Sequence, residues 1–179
     1  VKAVRLTLIC HAPTQAQKSG RFPGIDDAIL PITEWTSPLA ANTRVLSAPE
    51  RRAQETAHGL GVPAVIEPAL ADCDMGAWQG LALKQLQAGQ PQALAQWLQD
   101  PHCAPHGGES VAQLCQRVAT WLEAFDTPGE WVAVTHPQVV RAAMVRVLGS
   151  SLEAFQCIDV LPLSRVHLSR AGQWRLRLE

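Results

Sequence analysis

Four side chains of this sequence have the types and spacing for phosphoryl chemistry: His11, Arg52, Asp72 and His136. A neutral imidazole is a competent nucleophile near pH 7 because its pKa lies close by. Once phosphorylated, it carries a labile P–N bond suited to two-step transfer. Arg52 offers a planar fork of donors that matches phosphate oxygens, and it sits near the start of a helical stretch, whose dipole favours an anion. Asp72 is a carboxyl that could protonate a leaving alkoxide. Taken singly, each has an ordinary structural account. A histidine can cap a strand end, Arg51 and Arg52 can open a solvated helix, and Asp72 and Asp74 can form a turn. The ordered set carries the weight.

The elements that must position them follow from periodicity. Residues 4–9 alternate and are β-prone, so a strand ends near Cys10 and places His11 just past it. Residues 11–42 read as a long loop with a short helix near 33–41, and loops of that length in a compact domain are usually functional. Further strands are predicted at 43–47, 62–66 and 131–135, with a hairpin at 164–169 and 173–178 around Ala171-Gly172. Helices are predicted over about 50–60, 81–99 (interrupted near Gly89 and Pro91), 109–125 and 138–148. In the 109–125 helix the apolar face is Val111, Leu114, Cys115, Val118, Trp121, Leu122 and Phe125. Trp35, Trp78 and Trp97 are assigned to the core. Strands alternating with helices imply an α/β fold, a three-layer α/β/α sandwich with a largely parallel central sheet. In such sheets ligands bind beyond the carboxyl ends of strands, where His11, Ser47 with Arg52, and His136 all fall.

Composition narrows the partners. The chain has 179 residues, 47% hydrophobic and 17% charged, which suits one domain over residues 1–179. A formal net charge of −1 argues against nucleic-acid binding through phosphate contacts. No apolar run approaches a membrane span. The start, from Val1 to Cys10 with Lys2 and Arg5 in it, lacks the apolar segment and cleavage site of a signal peptide, although the missing Met leaves a removed leader open. Five cysteines without regular spacing fit free thiols in a reducing cytoplasm. His102, Cys103 and His106 are read as a plain loop rather than a metal site.

Five segments in order resemble the histidine phosphatase superfamily, the phosphoglycerate-mutase-like fold. Leu8-Ile9-Cys10-His11-Ala12-Pro13-Thr14 is similar to its Leu-x-Arg-His-Gly-x-Thr signature, and residues 47–57 to Ser-Ser-Pro-Leu-x-Arg-Ala-x-x-Thr-Ala. Asp72 to Gly80 resembles Glu-x-x-Phe-Gly-x-Trp-Glu-Gly, and Gly107-Gly108-Glu109-Ser110 contains Gly-Glu-Ser. Val134 to Arg141 resembles Val-Ser-His-Gly-x-x-Ile-Arg. The resemblance implies a phosphomonoesterase with His11 as phosphoryl acceptor, Arg52 and His136 holding the transferring group, and Asp72 as general acid and then base. Cys10, Thr14 and Gln17 are carried as substrate-binding positions. No metal, nucleotide or other cofactor is implied. The implied partner is a small phosphorylated metabolite such as a sugar phosphate or α-ribazole phosphate; the oligomeric state is not legible.

The departures matter as much. Cys10 stands where the family has arginine, and a thiol supplies neither a guanidinium fork nor a fixed charge. Loss of one such donor costs on the order of 3–4 kcal/mol of transition-state stabilisation. Lys18, Arg21 or Arg51 are the candidate replacements. Pro137 stands for glycine and lacks a backbone N–H. Asp72 is one methylene shorter than glutamate. Cys10 is rejected as the nucleophile, since a cysteine phosphatase needs an arginine six positions on and position 16 is Ala. These changes set reduced activity against a degenerate, non-catalytic member that binds a phosphorylated ligand or protein. A phosphoglycerate mutase ranks below both, because such mutases carry longer insertions over the site.

Overall fold

The computed structural model describes residues 3–178; Val1 and Lys2, part of the predicted opening segment, lie outside the described residues. The first strand, β1 (Val4–Cys10), buries Leu6, Leu8, Ile9 and Cys10 and runs through the centre of the sheet. Its neighbours are β4 (Gly129–Thr135) in parallel and β5 (Arg165–Ala171) antiparallel. With β2 (Arg44–Ser47), β3 (Ala64–Ile66) and β6 (Gln173–Arg177), the six-stranded order is β3-β2-β4-β1-β5-β6. β3, β2, β4 and β1 pair in parallel and the β5–β6 hairpin turns at Gly172, so the sheet is mixed but largely parallel.

Register brings the site together. Cys10 pairs with Thr135, and Ser47 with Val134, so β1, β2 and β4 all end at one level. The residues that follow these three strands emerge side by side at one rim. Helix α2 (Arg51–His58) packs on β2, β3 and β4, while α5 (Val111–Ala124) and α6 (Pro137–Leu148) pack on each other. The face of α5 expected from its spacing is buried at Val111, Leu114, Cys115, Val118 and Leu122. Ser110 caps it reciprocally with Gln113. Trp78 and Trp97 are core residues, and Trp35 packs partly buried against the core.

Two local expectations are corrected. No helix forms near 33–41; Pro38, in the middle of that stretch, removes a ladder donor and biases Ser37 to extended backbone. The helix of that loop is instead α1 (Gln15–Lys18), started by a Thr14–Gln17 capping box. β3 begins at Ala64 rather than at residue 62, because Gly61 turns at φ +72° and Pro63 donates no hydrogen bond. The predicted 81–99 helix is split as expected into α3 (Leu83–Gly89) and α4 (Pro91–Gln99).

A backbone crossing fixes the segment after Asp72. Gly76 has φ +49°, and a Cβ there would lie 2.1 Å from the His106 carbonyl oxygen; one on Gly108 would lie 2.0 Å from that of Asp74. Both obstacles are main chain and cannot swing aside. Gly108→Ala is therefore expected to cost about 2–3 kcal/mol or more in urea unfolding. A midpoint unchanged from the parent would show that the crossing is not tight.

Candidate active site

His11 follows β1 and is 1% exposed. Its backbone N–H donates to Thr135 O at 2.9 Å, and the Ala12 N–H donates to Thr56 Oγ1 at 2.9 Å, which ties this turn to α2. The Nδ1 of His11 lies 2.7 Å from Ala12 O. A carbonyl only accepts, so Nδ1 carries the proton and the lone pair is left on Nε2. Burial first, then the fields of the neighbouring His136 and Arg52, push the His11 pKa down to about 4. At neutral pH the ring is an uncharged imidazole.

This depression has a consequence for stability. The unfolded chain protonates His11 near its ordinary value of 6.5, while the folded chain resists to about 4. The folded state thus binds fewer protons in between, and stability present above pH 6.5 is lost as pH falls toward 4. The size is about 3 kcal/mol at most. Urea midpoints of a His11→Asn variant should fall less steeply than the parent's between pH 6.5 and 4.5; parallel curves would contradict the assignment.

His136 follows β4 and caps α6, with its ring fully buried. The two histidine rings meet edge-on with centroids 5.2 Å apart. Arg52, in the first turn of α2 and 1% exposed, donates from one terminal nitrogen to Gly24 O (2.7 Å) and from the other to Asp72 Oδ2 (2.6 Å). Asp72 Oδ2 also lies 3.6 Å from His136 Nδ1. Burial alone would raise the Asp72 carboxyl, but the fields of His136 and Arg52 and the Arg52 hydrogen bond hold it below its ordinary value. Two buried polar atoms of this cluster have no hydrogen-bond partner, Arg52 Nε and His136 Nδ1. The four sequence-predicted residues are therefore in one cluster. Beside it opens a cavity of about 280 Å³ whose lining includes Gly24, Glu50, Arg52, Asp72, Met75 and Gln79.

The remaining candidates fall differently. Cys10 is fully buried, and burial with the Asp72 field pushes its thiol up to about 12, so it is neutral. Thr14 and Gln17 are committed to each other: each backbone N–H donates to the other's side chain at 3.2 Å. Of the proposed replacement cations, Lys18 is exposed on α1, Arg21 donates to Gly80 O, and Arg51 pairs with Glu55 at the surface. His106 packs between Trp78 and Trp97, and its Nδ1 accepts from Gly108 N–H. Asp74 is an exposed turn former that accepts from Gly76 N–H.

Two residues were missed by sequence reasoning. Arg117 on α5 grips both Glu109 carboxylate oxygens and donates to the carbonyls of Ala69, Ala71 and Asp72, so it fastens the segment that carries Asp72. Nothing local in the sequence distinguishes it from a surface arginine. Glu50, 8% exposed, precedes α2 and accepts from His136 Nε2 (2.6 Å) and from Asp72 N–H (2.9 Å). A signal existed for it: a carboxylate stands at a position where the resemblance expects leucine.

The chain is similar to several known proteins. Among curated relatives, "Bifunctional protein Rv2228c" of Mycobacterium tuberculosis is 31% identical over 127 residues, covering 64% of this chain and 35% of that protein. The chain thus spans about a third of the length of that relative. Phosphoserine phosphatase 1 of Hydrogenobacter thermophilus is 27% identical over 194 residues, covering 98% of this chain and 92% of that one. Among solved structures, a putative alpha-ribazole-5'-P phosphatase from Escherichia coli shares the fold with a TM-score of 0.82 at 23% identity, over 98% of this chain and 95% of that one. No helix among the described residues is long and apolar enough to cross a membrane. The model of the histidine phosphatase superfamily (branch 1) matches residues 6–178, nearly the whole described chain, and the protein belongs to that superfamily.

Proposed function

We propose that this chain hydrolyses a small phosphate monoester in two steps through a phosphohistidine on His11. The observation that carries this is the Nδ1–H bond of His11 to Ala12 O, which leaves the Nε2 lone pair free within a cluster of Arg52, Asp72 and His136. In the first step Nε2 attacks phosphorus and the ester P–O bond breaks, its electrons leaving on the alkoxide. Asp72 supplies the alkoxide's proton. In the structure Asp72 is ionised against Arg52. Phosphoryl oxygens that take over the Arg52 fork strip Asp72 of its partner and bring a dianion beside it, which favours its protonated form. In the second step Asp72 takes a proton from water, the water oxygen attacks phosphorus, and the P–N bond breaks to release inorganic phosphate.

Relatives named for phosphoserine and for α-ribazole phosphate support a compact ester, and the cavity beside Arg52 and Asp72 leaves room for its non-phosphate part. A panel of phosphate esters, with acid-quenched samples probed for labelled histidine, tests the reading. Turnover with an acid-labile phosphoenzyme is expected; hydrolysis no faster than buffer, with no label on protein, would sink it. One observation favours a second reading, a non-catalytic phosphate-ligand-binding member. Cys10 is a buried neutral thiol, and Asp72 already places a carboxylate against the Arg52 guanidinium. On that reading phosphate esters bind without turnover.

A further inference from the structure

We propose that Glu50 is a positioning residue that holds His136 doubly protonated at neutral pH, so that the Glu50–His136 pair supplies the positive donor to the phosphoryl site that Cys10 does not. The inference rests on the phosphoryl-transfer reading for its purpose, though not for its geometry.

Glu50 Oε1 accepts from Asp72 N–H at 2.9 Å, and Oε2 lies 2.6 Å from His136 Nε2. An ionised carboxylate accepts only, so Nε2 must carry a proton. The Glu50 carboxyl is buried, which alone would raise it, yet the His136 bond and field and the Asp72 N–H hold it below its ordinary value. The state of Nδ1 is then decisive. Nδ1 is buried, has no hydrogen-bond partner and faces Asp72 Oδ2 at 3.6 Å. A bare Nδ1 would set a lone pair against a carboxylate and offer nothing to a phosphoryl oxygen. A protonated Nδ1 is attracted by both carboxylates and leaves an N–H, like that of Arg52 Nε, without a partner in the cluster.

The groups around the ring are Glu50 at the start of α2, Asp72 after the Pro68–Leu70 turn with Arg52 of α2 bonded to it, and His11 at the end of β1. His11 is uncharged, so the opposing terms are Arg52 and burial. Arg52 is itself neutralised by its 2.6 Å bond to Asp72. Counting charge gives the same answer. With both rings neutral, Arg52, Asp72 and Glu50 sum to −1, which repels a phosphate dianion. With His136 doubly protonated they sum to zero, and the added charge sits at the ring that faces the cluster.

The test uses the full chain and inorganic phosphate as probe, with Glu50→Gln and Glu50→Asp variants. Imidazole ¹⁵N signals of His136 at pH 7 should show two protonated nitrogens in the parent and in Glu50→Asp, and one in Glu50→Gln. Phosphate should bind Glu50→Gln roughly tenfold more weakly than the parent, the scale of one charge-assisted hydrogen bond. If Glu50 were merely a negative charge near an anion site, removing it would instead tighten phosphate. Tighter binding in Glu50→Gln overturns the proposal. So does a single protonated nitrogen in the parent, a measurement that needs no variant to fold. Absent turnover with the two-proton signature intact overturns the phosphomonoesterase reading and leaves the Glu50–His136 pair standing.

Discussion

A His11→Ala variant is expected to lose phosphomonoester hydrolysis by ~10⁴-fold or more, as when a nucleophile of a covalent mechanism is removed. The reason is specific to this ring. Its Nδ1–H is fixed on Ala12 O, its backbone N–H on Thr135 O, and Ala12 on Thr56, so the nucleophilic lone pair sits on Nε2 with little freedom. The imidazole is neutral at pH 7, so no proton must leave before attack. Initial rates with an aryl phosphate and acid-quenched labelling measure the loss. Turnover at the parent's rate, or phosphate still trapped on the variant, would move the acceptor to another residue.

A Cys10→Arg variant is expected to gain about 10²–10³-fold in kcat/KM for the same substrate, the usual worth of one preorganised donor to a developing oxyanion. The buried thiol feels the fields of both Asp72 and Arg52, so the position looks onto the cluster although Cys10 itself carries no charge. Insertion of a long side chain into a fully buried position costs about 1–3 kcal/mol of stability, and urea unfolding of the variant keeps that effect apart from catalysis. A large gain over an inert parent identifies the parent as a binding member. A folded variant with unchanged turnover shows that another donor already serves, and the structure offers His136 on Glu50 for that part. The arginine and lysine candidates near the loop are exposed or engaged elsewhere.

Much of the fold was legible because its signals are local. Alternation gave β1, a 3.6-residue apolar stripe gave α5, and Gly89 with Pro91 marked the break between α3 and α4. Where competing local signals met, the reading slipped. A short helix is expected near 33–41, yet Pro38 denies that segment a continuous ladder, while the Thr14–Gln17 capping box starts a short helix earlier in the loop. The candidate residues His11, Arg52, Asp72 and His136 could be picked out because each stands at a strand end or helix start. Thr14 and Gln17 could not be judged, because a capping box and a substrate contact ask for the same polar groups.

The sequence by itself determined the alternation of strands and helices, the family, and the loss of a cation at Cys10. Those are properties of residue type and order along one chain. Only the tertiary structure decided how the site is charged. The Cys10–Thr135 and Ser47–Val134 registers bring residues 50, 52, 72 and 136 into one hydrogen-bonded cluster from separate segments, with the His11 ring edge-on to His136. Protonation states depend on distance, burial and the direction of lone pairs. None of these is encoded at one position, and Glu50, marked in the sequence only as a carboxylate in place of leucine, becomes the hydrogen-bond partner of His136 and of the Asp72 N–H once the sheet is assembled.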